Sequence, residues 1–350
     1  MKKILVKLYN YQIKFKAEVL PKAFVFSPFL SSLYYLLFSS KFKREQHAVL
    51  KGKLKHIKGL RKDKNNIYTL IRNVHRIEKG LIMKERRLVF GLDFISETVD
   101  AFLAIWSSDK IINNVQFQWF YDILNEYFEV TGDNELINKE RIRFIEFTNE
   151  YNRDTDGIKK TPYRRVQNNE FKISYDQFYD LTLYRRSVRW FLKKKVSHEI
   201  VDKAILAARQ SPSACNRQPF KFKIFDDPVL LKKIANLPMG VKGYVDGIPT
   251  MVVVIGSLDA YFDERDRHII YIDGALASMT FMYALETLGL SSCAINWPDI
   301  ESLESKMEIA LNLEKHERVI MCIAIGYPDL EAKVAYSEKR NLNDLRQYNR

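Results

Sequence analysis

The sequence predicts an α+β fold in which a buried sheet follows a mostly helical N-terminal region. Residues 250–255 (TMVVVI) are a continuous apolar run, as expected for a strand covered on both faces. Residues 220–225 (FKFKIF) alternate in polarity like a half-buried strand. Four stretches between Asn65 and Asn149 repeat apolar residues at the spacing of an α-helix. Helices therefore dominate the first half of the chain, and a sheet forms in the second.

The first half divides at polar segments. Helices are expected at 67–78, 88–106, 116–130 and 135–147, with turn signals at 107–109 and 131–133. Residues 151–170 are polar and include Gly157 and Pro162, which is typical of a linker. We therefore expect an N-terminal arm (1–64), a helical region (65–150), a linker (151–171) and a sheet-containing domain (172–350).

Helices and short strands alternate in the second half. Helices are expected at 174–184, 197–210, 272–288 and 301–311, and strands at 220–225, 250–255, 292–296 and 319–325. Ser197 is expected to cap the second of these helices, with Glu199 in its first turn. Gly289 follows the third helix, where a left-handed glycine commonly ends a helix.

Composition limits the class of protein. With 47% hydrophobic and 13% aromatic residues, the chain can build a sizeable core and is not largely disordered. Its three cysteines, Cys215, Cys293 and Cys322, are widely spaced and contain no CxxC pair. An odd, scattered set argues for reduced thiols in the cytoplasm, against a disulfide framework and against a metal site.

The net positive charge of the chain lies entirely in the N-terminal arm. Residues 1–64 contain 16 Lys and Arg against Glu18, Glu45 and Asp63, which accounts for the whole net charge of +13. Residues 65–350 carry 40 basic and 40 acidic side chains and are neutral. No nucleic-acid-binding motif accompanies the charge, so we expect no nucleic-acid partner.

The arm also contains an apolar run at 23–38 (AFVFSPFLSSLYYLLF). Its 16 residues include Pro28 and fall short of the ~20 that span a bilayer. No small-residue cleavage site follows, so a secretory signal is not expected. Two interpretations remain: a buried helix flanked by solvated lysines, or a segment lying on an anionic membrane surface. The protein is expected to be cytoplasmic, with membrane association as the alternative.

The strongest local signal for chemistry is at residues 185–191 (RRSVRWF). Three guanidinium groups and one hydroxyl lie within five residues, directly after a predicted helix. Arginine binds phosphate in a bidentate manner, and a hydroxyl adds a further hydrogen bond. Such a run on its own would be interpreted as a solvated basic turn, but a second segment accompanies it.

That second segment is at residues 211–220 (SPSACNRQPF), between a predicted helix and a predicted strand. Its two prolines restrict the backbone, and Ser213, Asn216 and Gln218 offer polar groups suited to the edge of a flat heteroaromatic ring. The two segments together suit a ligand that has both a phosphate and a ring.

In order and spacing, these segments resemble the nitroreductase family, whose domains open with R-R-S-x-R-x-F, then a helix and P-S-x-x-N-x-Q-P. The resemblance continues through residues 288–290 (LGL) and 293–297 (CAINW), then 326–328 (GYP) and the basic pair Lys339–Arg340. It covers roughly residues 172–349. The resemblance implies a nitroreductase-like FMN-binding fold with helices around a sheet.

The resemblance also implies which residues bind FMN. The phosphate and ribityl chain would be held by Arg185, Arg186, Ser187 and Arg189, with Arg340 or Lys339 completing the charge. The ring would be lined by Pro212, Ser213, Ala214, Asn216 and Gln218, some of them from a second subunit. The backbone of Ile295, Asn296 and Trp297 would lie along the flavin. Glu338 departs from the family, which often has a basic residue there.

The resemblance implies a homodimeric oxidoreductase in which the flavin carries the chemistry, so no catalytic side chain is expected. No G-x-G-x-x-G follows a strand, so NAD(P)H would visit the flavin transiently. The expected reaction is a two-step, ping-pong hydride transfer from NAD(P)H to an electron-poor small molecule. The alternatives are a flavin dehydrogenase acting with partner proteins on a peptide or biosynthetic intermediate, and a membrane-surface interaction protein that kept the fold without turnover.

Overall fold

A computed structural model describes residues 11, 14–61, 66–106, 116–149, 158–164 and 172–349. It contains four helices in the helical region, and these pack around one apolar core drawn from residues 70–144. Phe102 stacks on Phe117 at 5.4 Å in this core and also contacts Phe144. The four helices are α3 (Ile67–Leu81), α4 (Ile95–Trp106), α5 (Phe117–Val130) and α6 (Glu135–Thr148).

Side-chain caps fix where two of these helices begin. The amide oxygen of Asn66 accepts from the backbone of Tyr68 and Thr69, and Asn134 caps α6 in the same way. The prediction of helix from residue 88 was wrong for 88–94, because Gly91 takes a left-handed φ of 79° that ends helical geometry. The turn predicted at 107–109 lies outside the described residues.

The C-terminal half confirms the predicted α+β class. Its sheet has the order β1-β2-β4-β3, with every neighbouring pair antiparallel. The strands are β1 (Phe220–Phe225), β2 (Thr250–Ser257), β3 (Ser291–Asn296) and β4 (Glu317–Gly326). The helices are α7 (Tyr175–Tyr184), α8 (His198–Ala208), α9 (Pro228–Ala235), α10 (Ile269–Thr287) and α11 (Glu301–Leu311).

Strand β2 explains why its sequence is apolar throughout. Met251 and Val253 face a core that includes residues of α9 and α11. Val252 and Val254 face the opposite core, which includes residues of α8 and α10. All eight residues of the strand are buried, so helices cover the sheet on both sides.

Helix ends follow the predictions in part. Ser174 and Gln177 form a capping box at the start of α7. Gly289 has a left-handed φ of 77° directly beyond α10, as expected. Ser197 precedes α8, but its side chain makes no capping hydrogen bond, so that part of the prediction was wrong.

The basic arm contains a long helix that the periodicity did not predict, α2 (Lys43–Arg61). It packs against residues 258–260 of the sheet domain, with Ala48 buried in a shared apolar cluster. Gly52 permits this approach, because a Cβ there would lie 2.7 Å from the backbone of Leu258. The arm therefore shares a core with the sheet domain.

Charge complementarity holds α2 in place. Arg44 donates to Glu301 at 2.5 and 2.8 Å and to Glu308 at 2.6 Å. Lys53 pairs with Glu264 at 2.8 Å, and Lys55 pairs with Glu314 at 2.8 Å. Part of the arm's positive charge is thus neutralised within the molecule.

A shorter apolar helix, α1 (Pro28–Leu37), precedes α2 and contains no buried residue. The buried-helix interpretation of this run was therefore wrong. Among the described residues, the stretch Glu264–Thr287 has the length and hydropathy of a membrane span. Because 44% of the most apolar part of this stretch is buried inside the molecule, as in an ordinary core helix, this is weak evidence for a membrane span.

The predicted linker is described only at residues 158–164, which form neither helix nor strand. The backbone N–H of Lys160 donates to Asp122 on α5 at 2.7 Å, and Lys159 lies 3.7 Å from Glu126. This part of the segment is therefore attached to the helical region. Residues 151–157 and 165–171 lie outside the described residues.

Candidate active site

The arginine-rich run lies along the edge of the sheet. Helix α7 ends at Tyr184, and Arg185 turns to extended geometry with ψ of 119°. The chain then pairs with β3, where the N–H of Val188 donates to the carbonyl of Ser292 at 3.0 Å. Phe191 pairs with Pro328, just beyond β4. The strand edge therefore holds residues 185–191 as an extended ribbon.

The predicted phosphate-binding residues share one cavity of about 190 Å³. Its lining consists of Arg185, Arg186, Ser187, Arg189, Ala335, Ser337 and Lys339. None of the four cationic side chains has a salt bridge to a carboxylate among the described residues. The structure thus brings the predicted cluster together, with Lys339 supplied by the C-terminal segment. We call it the cationic cradle.

Nε of Arg185 and the hydroxyl oxygen of Ser292 are polar atoms beside the cradle that are buried without a partner. An unpaired buried polar atom costs about 1–3 kcal/mol, so such atoms usually mark a site that a further group completes. Sequence motifs identified the arginine but gave no signal for the serine, whose position depends on strand pairing.

Glu286 is a second residue that the motifs missed. It lines a neighbouring cavity of about 160 Å³ together with Arg186 and Arg189. Burial raises the pKa of its carboxyl group to about 7, and the hydrogen bond from Ser291 and the charge of Arg185 oppose that rise. A carboxyl group that titrates near neutral pH therefore lies beside the cradle.

The two residues of the C-terminal basic pair have different surroundings. Lys339 lines the cradle, whereas the guanidinium of Arg340 donates to the carbonyl of Asp344 at 3.4 Å. Ser337 lines the cavity two residues before Lys339. The family often has a basic residue at the next position, which is Glu338 in this chain. The structure therefore favours Lys339 over Arg340 as the last cation of the site.

The second motif forms a strained loop. Cys215, Asn216 and Gln218 all have φ between 48° and 54°, a left-handed geometry that is uncommon for residues with side chains. The Ser213 hydroxyl accepts from the N–H of Gln218 at 3.1 Å, and Asp273 accepts from the N–H of Ala214 at 3.0 Å. Strain of this kind persists where surrounding contacts fix it, commonly at functional sites.

Other side chains of this loop have partners in their own chain. The Gln218 amide donates to the carbonyl of Arg209. Arg217, which is not among the predicted site residues, is 7% exposed, and its guanidinium lies over the Tyr261 ring at 4.9 Å. Helix α3 packs against residues 214–216, so the helical region forms one wall around this loop. Cys215 is half-buried.

Within one chain, the loop and the cradle lie far apart. Asp273 holds the loop near the start of α10, whereas Glu286 lies beside the cradle at its end. Thirteen residues of helix correspond to about 20 Å. Strand β4 gives a similar result, since Glu317 lies at the loop end and Ile325 at the cradle end, about 26 Å apart along a strand. The two sequence motifs therefore lie near opposite ends of α10 within a single chain.

The third predicted segment, residues 295–297, is only partly available to a ligand. Ile295 is buried in the core, and the Asn296 side chain is exposed. Trp297 is 7% exposed, and its indole N–H donates to Glu304 at 2.6 Å. Its ring therefore packs in the core, which leaves the backbone of Trp297 for the predicted contact.

Comparisons with known proteins agree with this geometry. A family model described as "Nitroreductase family" matches residues 182–242 and 241–327. Residues 182–327 form a nitroreductase-family domain. The family is one of flavin-dependent oxidoreductases. The matched residues include the strained loop and the arginines of the cradle, whereas Ala335, Ser337 and Lys339 of the cradle lie beyond them.

Relatives by sequence extend beyond the matched domain. Iodotyrosine deiodinase 1 of Rattus norvegicus is 21% identical over 238 residues, covering 59% of this chain and 82% of that protein. Iodotyrosine deiodinase of Danio rerio is 24% identical over 274 residues, covering 68% and 88%.

Solved structures match about half of the chain. An FMN-dependent nitroreductase from Clostridium difficile R20291 has 24% identity and a TM-score of 0.40, covering 49% of this chain and 98% of its own. A nitroreductase family protein from Streptococcus pneumoniae TIGR4 has 21% identity and a TM-score of 0.43, covering 49% and 99%.

Proposed function

We propose that this protein is an FMN-dependent oxidoreductase that uses NAD(P)H to reduce an electron-poor small molecule in two steps. The observation that carries the proposal is the cationic cradle, where three arginines and Lys339 surround one cavity. Four like charges repel one another unless an anion neutralises them. A terminal phosphate has the charge and the acceptor oxygens to do so.

The residues present fit FMN. Ser187 and the unpaired atoms of Arg185 and Ser292 offer hydrogen-bonding groups beside the cations. The ribbon at residues 185–191 pairs with β3 at Ser187 and Ser292, and β3 runs from there to Asn296, which gives the rest of an elongated ligand a path along the strand edge. No dinucleotide fingerprint accompanies the cradle, so a mononucleotide flavin fits better than FAD.

We propose that the site is completed by a second copy of the chain. Helix α10 is apolar around its whole circumference, yet Ile272 and Leu276 on one side are 52% and 44% exposed. An all-round apolar helix is normally covered. If two copies of α10 pack antiparallel about a two-fold axis, the start of each helix lies beside the end of the other. The loop of one chain then meets the cradle of its partner.

The chain's own residues would bind and orient the cofactor. The cradle anchors the phosphate, the strand edge near Asn296 supplies backbone donors, and the partner's loop closes the ring site against water. Bound there, FMN would supply the redox chemistry, taking electrons from NAD(P)H and delivering them to the acceptor. The hydrogen bonds of residues 213–218 would hold the ring wall in place, which favours orientation over induced closure.

A second candidate reaction is reductive dehalogenation of a halogenated phenol. Its support is that sequence relatives covering more of the chain than the family model are named iodotyrosine deiodinases. A halogenated tyrosine is also a small aromatic acceptor. The two candidates share cofactor and reductant and differ only in the acceptor.

The test begins with the purified full-length chain. We expect a yellow protein whose released flavin is FMN, and whose visible absorbance is bleached by anaerobic NADH or NADPH. Reoxidation by nitroaromatics supports the first reaction, and iodide release from iodotyrosine supports the second. A chain without flavin that gains none on incubation with FMN would contradict both. Bound flavin that NAD(P)H fails to reduce would favour the dehydrogenase or turnover-free alternatives.

A further inference from the structure

We propose that α1 and the turn before it bind the surface of an anionic lipid bilayer, with the helix lying flat in the interface. The apolar surface is continuous here. Val25, Phe26 and Phe29 are 69%, 81% and 74% exposed, and Leu36 and Leu37 are 69% and 61% exposed. Large apolar side chains grouped in this way mark an interaction surface.

Little of this surface is covered by the rest of the chain. Among the described elements, α1 packs extensively only against the short helix Leu20–Phe24. Phe24, Tyr34 and Phe38 form a small aromatic cluster between the two. The cluster fixes the shape of the hairpin and leaves its outer side chains free to enter lipid.

The polar groups of α1 are compatible with an apolar surrounding. The helix contains no charged residue. The Ser31 hydroxyl donates to the carbonyl of Phe24 at 3.2 Å, and the Ser32 hydroxyl donates to the carbonyl of Pro28 at 2.9 Å. Ser27 accepts from the N–H of Leu30. Because these groups already have partners, transfer into the interface leaves few of them unsatisfied.

The length of α1 determines how it can bind a bilayer. Ten residues of α-helix are about 15 Å long, half of the ~30 Å hydrocarbon core. The helix therefore cannot cross a bilayer. A short apolar helix beside basic residues is typical of a segment that lies in the plane of the interface.

Charge identifies the partner as anionic. Exposed lysines lie on both sides of the helix, with Lys22 before it and Lys41 and Lys43 after it. Unlike Arg44, Lys53 and Lys55, these three have no carboxylate partner among the described residues. The arm's charge thus divides into a set that docks α2 and a set that remains for an external anion. Phosphatidylserine headgroups meet that requirement beside an apolar layer.

The docking of α2 attaches this surface firmly to the sheet domain. Tyr35 of α1 contacts Phe42 at 4.5 Å, immediately before α2 begins. Membrane contact through α1 would therefore hold the folded protein at the bilayer through a short connection. This inference does not depend on FMN binding or on turnover.

The test is co-sedimentation of the purified full-length protein with vesicles of phosphatidylcholine containing phosphatidylserine, and with vesicles of phosphatidylcholine alone. The wild type is expected to sediment with the anionic vesicles at low salt and to be released as salt increases. Phe29→Glu with Leu36→Glu should weaken partitioning at least about tenfold, because two anchoring side chains are lost. The matched control is Val229→Glu with Ile309→Glu, since both residues are 77% exposed on helices of the sheet domain.

A second variant tests the contribution of the lysine charges without altering the sequence of α1. Lys41→Glu with Lys43→Glu should reduce binding to anionic vesicles and flatten its salt dependence. Light scattering of each variant without lipid tests whether α1 binds a second copy instead. The proposal is overturned if the wild type does not sediment at low salt, or if the Phe29/Leu36 variant and the control bind equally. It is also overturned if that variant alone changes the oligomeric state and leaves vesicle binding intact.

Discussion

The Ser291 hydroxyl donates a 3.0 Å hydrogen bond to Oε2 of Glu286, while Oε1 of the same carboxyl group is buried without a partner. One oxygen of the carboxyl group therefore has a hydrogen-bond partner and the other has none. Arg185 lies close enough to lower the pKa, but burial dominates and raises it to about 7. A titratable neighbour of the cradle thus changes charge near neutral pH.

Replacing Glu286 with Gln should remove a pH dependence of stability. The folded state retains the proton up to about 7, whereas the unfolded carboxyl group releases it near 4.5. The folded state therefore binds more protons in this window, and wild-type unfolding free energy falls as pH rises through it. Since Glu286 is only half-buried, we expect a fall on the order of 1 kcal/mol. Urea unfolding across this window should show a smaller fall in the variant than in the wild type.

The control for this effect is Glu331→Gln, an exposed carboxyl group near the same cavity. It should retain the wild-type pH profile. A Glu286→Gln profile that falls as steeply as that of the wild type between 4.5 and about 7 would show that another group is responsible.

Removing two guanidinium groups from the cradle should release the cofactor. For Arg185→Ala with Arg189→Ala, each lost charge-assisted hydrogen bond contributes about 1.5–3 kcal/mol. FMN affinity should then fall at least about 100-fold. Fluorescence titration of the apoprotein with FMN measures this directly. Arg86→Ala with Arg265→Ala removes the same charge from exposed positions elsewhere and should bind FMN like the wild type. Equal affinity in all three proteins would place the phosphate outside the cradle.

A charge on the exposed side of α10 should separate the proposed dimer. Ile272→Arg places a guanidinium in the expected interface, where an unpaired charge is strongly unfavourable. Light scattering should report a monomer, and flavin should be lost with it because the partner's loop is needed. Ile309→Arg, at a 77% exposed apolar position on α11, should remain dimeric and yellow. A monomer of Ile272→Arg that keeps full flavin would indicate a site complete within one chain.

The elements that the sequence predicted well are those whose signal is local. The continuous run at 250–255 identified β2, because covering both faces of a strand requires apolar residues throughout. The arginine-rich run identified the cradle, because its four anion-binding residues lie within one extended ribbon. In both cases neighbouring residues act together in space.

The elements that were missed depend on distant partners. Helix α2 is rich in lysine, and its stability comes from acidic residues more than 200 positions away, such as Glu301 and Glu264. Glu286 has no motif, since it reaches the cradle only through the end of α10. Trp297 lies within a family motif, yet its indole pairs with Glu304 and belongs to the core. Proximity along the chain did not reveal such relationships.

Two glycines in α2 offer a matched test of how the arm docks. A Cβ at Gly52 would lie 2.7 Å from the backbone of Leu258, which cannot yield, whereas a Cβ at Gly59 would lie 3.3 Å from the Asn66 side chain. Gly→Ala in a helix interior is worth about 1 kcal/mol in favour of alanine. Overpacking against backbone costs about 1–3 kcal/mol. Gly52→Ala should therefore lower the unfolding free energy despite its better helix propensity, and should speed tryptic cleavage within α2. Gly59→Ala should stay within about 0.5 kcal/mol of the wild type and be cleaved no faster. If Gly52→Ala proved as stable and as resistant to trypsin as Gly59→Ala, α2 would not be held against Leu258 in solution, and the short attachment of α1 to the sheet domain would be lost with it.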